Sequence, residues 1–177
     1  RLASVESARS LFVLPSGDVV VSQGKRNKLT LLHMKGSELV KTSVFAEGLE
    51  RPFGMALWKE KFFVAEPTQV TMFTYKDNKL QTPGKVIAKI PFPEPQHHWT
   101  RHLLISENGK KLYVSVGSAS NVGEDHDPLD RRTAAILEMN LDGSGQISYA
   151  SGLRNPVSMA WEPDSKKLWT VVNERDG

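Results

Sequence analysis

The sequence predicts an all-β fold of the β-propeller class on three observations. One hairpin design recurs four times, the recurrence has a long step, and no window of helical length keeps apolar residues at i, i+3 and i+4. In each copy an apolar strand runs into a tight polar turn and then into a strand of β-branched and aromatic residues. Marked at the residue before each second strand (Asp18, Lys61, Lys111 and Lys167), the copies lie 43, 50 and 56 residues apart. Steps near 40–50 residues match propeller blades, whereas solenoid repeats of about 20–30 residues do not fit.

Each element has a local reason. The first hairpin joins residues 11–14 to 19–21 through Pro15-Ser16-Gly17-Asp18, where Pro presets φ and Gly supplies a positive one. The second joins 55–58 to 62–65 across Lys59-Glu60-Lys61, and the third joins 103–106 to 112–115 across Glu107-Asn108-Gly109-Lys110. The fourth joins 159–161 to 168–171 across Glu162-Pro163-Asp164-Ser165. Further strand segments at 29–32, 70–73 and 135–139 extend the first three copies into blades, while the fourth has its inner hairpin alone. The expectation is one domain over residues 1–177, an amino-terminal partial propeller of about three and a half blades, where a closed ring needs about four to eight.

Composition narrows the function classes. Lys and Arg number 23 against 20 Asp and Glu, and a scattered net charge of +3 gives no dedicated nucleic-acid surface. The absence of Cys excludes disulfides, thiolate metal sites and a cysteine nucleophile. No apolar run approaches the roughly 18–20 residues of a membrane span, and no leader-like segment opens the chain. Hydrophobic residues make up 39% of the chain, enough for a core. Oligomeric state is not encoded in any of these features.

The longest irregular stretches, 91–100 and 117–132, flank the third hairpin. Propeller loops of this length gather at one rim around the central channel, so a site is expected there. The run Gln96-His97-His98-Trp99-Thr100-Arg101-His102 holds three of the five His. A neutral imidazole can take the proton of a substrate hydroxyl while the same carbon gives up hydride, and a loop of hydrogen-bonded surface imidazoles is the plain alternative. Arg154-Asn155, ahead of the fourth hairpin, holds the place of Thr100-Arg101 ahead of the third. A guanidinium beside an amide suits a planar ligand bearing carboxylates or a quinone, and a simple turn is the alternative. The stretch 123–130 alternates carboxylates that attract calcium but lacks the spacing of an EF-hand loop. Backbone carbonyls in Asn173-Glu174-Arg175-Asp176-Gly177 fall at the same rim. Neither a phosphate-cradling glycine loop nor a nucleophile elbow is present.

The motifs Arg51-Pro52-Phe53-Gly54-Met55-Ala56, His98-Trp99-Thr100-Arg101-His102-Leu103, Leu112-Tyr113-Val114-Ser115-Val116-Gly117-Ser118, Gly152-Leu153-Arg154-Asn155-Pro156 and Asn173-Glu174-Arg175-Asp176-Gly177 occur in this order. Together they resemble the glucose/sorbosone dehydrogenase family, soluble pyrroloquinoline quinone (PQQ)-dependent sugar dehydrogenases of the six-bladed propeller type, in its sorbosone dehydrogenase-like branch. The resemblance implies oxidation of the C1 hydroxyl or aldehyde of a sugar by hydride transfer to PQQ, with an external electron acceptor and a periplasmic or secreted location. By position it implies that His98 is the general base, that Arg154 contacts the quinone and stabilises charge there, and that Asn155 is its neighbour in the cofactor site. It also places the carbonyls of Asp176 and Gly177 at the calcium ion. His97 stands where the glucose dehydrogenases carry an acidic residue, and no Gln stands near Arg51-Pro52 where those enzymes have one that contacts substrate. Six blades of about 50 residues need roughly 300, so the resemblance further implies a truncated copy that holds PQQ tightly only when another chain completes the ring. A calcium-dependent propeller lactonase or esterase and a non-catalytic binding scaffold are the competing readings. The first needs carboxylate and Asn side chains around a metal, and these motifs supply Arg and His more clearly.

Overall fold

Period-two alternation along each strand decides which side chains meet the neighbouring sheet. A computed structural model of the chain describes residues 3–92, 98–120 and 130–174. The first sheet consists of β1 (Ala8–Val13), β2 (Val19–Gln23), β3 (Lys28–Lys35) and β4 (Glu38–Glu47), and the second of β5 (Met55–Trp58), β6 (Lys61–Glu66), β7 (Gln69–Lys76) and β8 (Lys79–Lys89). The third contains β9 (Leu103–Ile105), β10 (Lys111–Val116), β11 (Ala135–Asn140) and β12 (Ile147–Ser151), and β13 (Asn155–Trp161) pairs with β14 (Leu168–Asn173). Every sheet is an antiparallel meander in chain order. The innermost strands stand side by side, β1 against β5, β5 against β9 and β9 against β13, while β4 meets β8 at the outside. This is the radial arrangement of a partial propeller with three blades and the inner hairpin of a fourth. Among the described residues the only helical turn is a 3₁₀ segment, Gly24–Arg26.

The core lies between blades. In β6, Phe62 and Val64 pack toward the first blade with Leu29, Leu31 and Phe73, while Phe63 and Ala65 pack toward the third with Leu112, Val114 and Leu137. A strand buried on both faces therefore reads as a continuous apolar run. Phe62 is fully enclosed and meets Phe12 and Phe45 edge-on, with ring centroids 5.6 and 5.5 Å apart. Burial of each such side chain contributes about 1.5–3 kcal/mol. Tyr113 on the opposite face of β10 meets Trp161 of β13 at 5.4 Å, and the Trp161 indole N–H donates to Ile105 O at 2.7 Å. That contact docks the fourth hairpin on the third blade.

The turns follow the expected chemistry. Gly17 has φ of +88° and its N–H donates to Leu14 O at 2.9 Å. Gly109, at φ +65°, lies so close to the Trp58 ring that an added Cβ would overlap it at 1.9 Å. The outermost strands β4, β8 and β12 were not foreseen from sequence. They are largely exposed and lie at the sheet margins, so no buried face imposes an alternation that sequence can display.

Candidate active site

The inner strands all begin at one rim, and there a cleft of about 340 Å³ opens. Its walls are Arg9 of β1, Phe53 ahead of β5, residues 98–100 ahead of β9, Asn155 and Val157 of β13, and Asn173 at the end of β14. Two of these are bulge residues. Arg9 stands between Ala8, opposite Gln23, and Ser10, opposite Ser22, and Val157 is likewise skipped between Pro156 and Ser158. A bulge turns a side chain out of the strand's alternation, here at the cleft.

His98 is held by its Nδ1, which lies 3.0 Å from Ser118 O and 3.1 Å from Ser118 Oγ. A carbonyl oxygen can only accept, so Nδ1 must donate to it, and Ser118 Oγ already donates to Ser120 O at 2.7 Å. Both contacts therefore place the proton of the neutral ring on Nδ1 and leave Nε2 as the basic nitrogen. Ser118 N–H donates to Arg154 O at 2.7 Å, joining the loop after β10 to the segment before β13. Gly117 makes this close approach possible, since a Cβ there would fall 2.3 Å from His98 Cβ and 2.8 Å from Asn155 Oδ1.

The segment bearing His98 is anchored by Arg101, whose role sequence reasoning missed. Its guanidinium, 0% exposed, donates from Nη1 to His98 O and Thr100 O at 2.8 and 2.9 Å, from Nη2 to Pro91 O at 3.1 Å and from Nε to Pro67 O at 3.2 Å. Burial lowers its pKa to about 10, still far above neutrality, and Phe92 lies beneath it at 5.3 Å. A lone arginine directly ahead of an apolar strand is the only trace of this in the sequence.

Two buried oxygens in the cleft wall, Thr100 Oγ1 and Asn155 Oδ1, have no hydrogen-bond partner among the described residues. Such groups cost about 1–3 kcal/mol unless a ligand or solvent pairs them. Arg154 lies beside the cleft rather than in its wall, with Nη1 donating to Asn173 O at 2.9 Å and Glu174 O at 3.1 Å. The structure thus brings His98 and Asn155 into one cleft with Arg154 adjacent. His97, Asp176 and Gly177 lie outside the described residues, as does most of the acidic stretch 123–130. Its last member, Asp130, is engaged by Arg132 at 2.7 Å, which holds the carboxyl below its ordinary pKa. Among the described residues no three His, Asp or Glu side chains gather as a metal cluster. A wider groove of about 690 Å³ lies between β4 and β8, and the buried Glu66 carboxylate in its wall is already satisfied by Thr71, Gln69 and the Glu50 N–H.

Sheet order, blade packing and a rim cleft define the chain as part of a β-propeller. The chain belongs to the TrAA12-like family, which matches residues 1–177. Its fold is similar to the holo PQQ domain of pyranose dehydrogenase from Coprinopsis cinerea (TM-score 0.83, 17% identity, covering 99% of this chain and 46% of that one). It is similar also to a calcium structure of a Trichoderma reesei family AA12 carbohydrate-active enzyme (TM-score 0.79, 19% identity, 98% and 47%). A protein of uncharacterised function from Borreliella burgdorferi is 25% identical over 147 residues, 77% of this chain and 38% of that protein. The chain thus spans less than half the length of each of these relatives. The expected relation to PQQ-dependent sugar dehydrogenases is met, and the likeness to the solved structures is one of fold.

The polar groups at the cleft fit a ligand that carries an N–H donor as well as carbonyl and carboxylate acceptors, as PQQ does. Asn155 Oδ1 awaits a donor, Thr100 Oγ1 awaits a partner of either kind, and the Arg154 guanidinium stands alongside.

Proposed function

We propose that the protein is a PQQ- and calcium-dependent oxidoreductase acting on the C1 hydroxyl or aldehyde of a sugar, with an external electron acceptor. The observation that carries this reading is His98, fixed through Nδ1 on Ser118 in a cleft that also holds the unpaired Asn155 Oδ1. PQQ, when bound, supplies the quinone that accepts hydride from the sugar carbon. His98 Nε2 takes the hydroxyl proton as that bond to hydrogen breaks, and the Nδ1–H bond to Ser118 O keeps the ring in the required tautomer. Asn155 and Arg154 would hold the cofactor, with Arg154 stabilising negative charge at the quinone, and the backbone carbonyls of Asp176 and Gly177 would hold calcium. Trp99 and Phe53, edge to face at 6.0 Å, give the cleft an aromatic wall. Members of the sorbosone and aldose class are the substrates, and a periplasmic or secreted location accompanies this reading. In the described residues no helix is long and apolar enough to cross a membrane.

The test is a titration with PQQ and calcium, followed by absorbance and by dye-linked sugar oxidation. In full-length protein His98→Ala is expected to abolish turnover and leave PQQ binding largely intact. Undiminished turnover in that variant rejects His98 as the base.

A further inference from the structure

Two irregular points of the backbone aim cations at the indole of Trp99, the residue beside His98. Arg9 is the bulge residue of β1. Arg51 has φ of +42°, and its N–H is tied to Asn27 Oδ1 at 3.1 Å. A non-glycine residue in that region costs about 1–3 kcal/mol and persists only where its surroundings hold it. The guanidinium carbon of Arg51 lies 4.3 Å from the Trp99 ring centroid and that of Arg9 lies 5.2 Å from it. Arg9 also reaches Phe53, at 5.8 Å. Trp99 itself is fixed, since Phe53 meets it edge-on at 6.0 Å and a Cβ on Gly24 would approach it to 2.9 Å.

Among the described residues neither guanidinium forms an ion pair. The acidic residues closest in sequence are engaged elsewhere, Glu6 by Arg26 and Glu50 by Thr68. Two like charges over one ring repel each other, and the π face attracts each without neutralising either. An anion placed between them relieves that repulsion, and a guanidinium fork matches a carboxylate in two parallel hydrogen bonds.

We propose that Arg9, Arg51 and Trp99 form a carboxylate-binding subsite that presents a uronic acid, rather than a neutral sugar, to His98. In a uronic acid the carboxylate-bearing carbon and the anomeric carbon flank the same ring oxygen, so a sugar in the cleft that Arg9, Trp99 and His98 all line can offer its carboxylate to the guanidiniums and its anomeric carbon to His98. The inference rests on the reading of His98 as base for a sugar hydroxyl, and its test separates the two.

Glucuronate and glucose are titrated in parallel, following the indole N–H resonance of Trp99 by NMR. Glucuronate is expected to bind at least about tenfold more tightly at low salt, with the advantage shrinking as ionic strength rises. Arg9→Gln and Arg51→Gln each remove most of the preference, and Arg51→Lys, which keeps the charge, retains part of it. Equal binding of the two sugars, or a preference that survives both Gln variants, overturns the proposal. A parallel PQQ titration by absorbance completes the test. If the Gln variants weaken PQQ binding and leave the sugar preference untouched, the guanidiniums serve the cofactor and the proposal fails. Failure of PQQ to bind the full-length protein, with the uronate preference intact, overturns the dehydrogenase reading and leaves the subsite standing.

Discussion

Replacing Arg101 by Met tests whether one buried cation positions the segment that carries His98. Burial lowers its pKa from the ordinary arginine range to about 10, which puts the cost of burying the charge at about 3 kcal/mol. Against this stand four donated bonds to Pro67, Pro91, His98 and Thr100 carbonyls. At about 1.5 kcal/mol or more each, bonds to a charged group supply about 6 kcal/mol, twice the burial cost. Met fills much of the same volume, so the loss is electrostatic rather than a cavity. Arg101→Met is expected to destabilise by about 3–5 kcal/mol, the usual cost of breaking a buried charged contact, and to lower Tm by about 10 °C. Urea denaturation with an unchanged m-value measures it. Arg101→Lys keeps the charge but cannot reach four carbonyls in divergent directions, and is expected to fall between the two. In that variant the His98 ring resonances shift and its titration moves, a change that a purely structural role elsewhere does not produce. A loss below about 1 kcal/mol in Arg101→Met, within the range of an ordinary surface change, refutes the argument.

Gly117→Ala places a methyl 2.3 Å from His98 Cβ and 2.8 Å from Asn155 Oδ1. It is expected to cost about 1–3 kcal/mol in stability and, in active full-length protein, about a hundredfold in turnover, because the base is displaced by about 1 Å. Thermal unfolding and dye-linked assay measure the two, and unaltered turnover contradicts the predicted displacement. His102 is half-buried, its enclosed Nδ1 meets no partner among the described residues, and desolvation lowers its pKa from the ordinary 6.5. As pH falls below 6.5 the unfolded chain gains this proton first, so stability declines toward the lowered folded pKa. Chemical denaturation across that window is expected to show a shallower decline in His102→Gln, and parallel curves contradict the assignment.

The blade count was legible because the inner three strands of each blade advertise themselves. Residues 62–65 are apolar throughout since both faces of β6 are buried, and the turns at Gly17 and Gly109 carry the residues that positive φ demands. The outer strands β4, β8 and β12 were illegible because exposure removes the pattern. At the rim where the inner strands begin, the structure places the motif around His98 and Asn155 in one cleft with Arg154 beside it. Sequence could not show that Arg154 Nη1 turns to the carbonyls after β14 while Asn155 faces the cleft.

By itself the sequence determined an all-β blade repeat, a chain without Cys and the loops in which a site was expected. Each follows from local rules, namely strand alternation, turn dihedrals and composition. Only the tertiary structure decided that Arg101 holds the His98 segment, that Ser118 sets the His98 tautomer, and that Arg9 and Arg51 meet over Trp99. The contacts over Trp99 join residues from separate blades, through a bulge and a left-handed residue that no strand period encodes. They exist only because packing between blades brings the starts of the inner strands together at one rim.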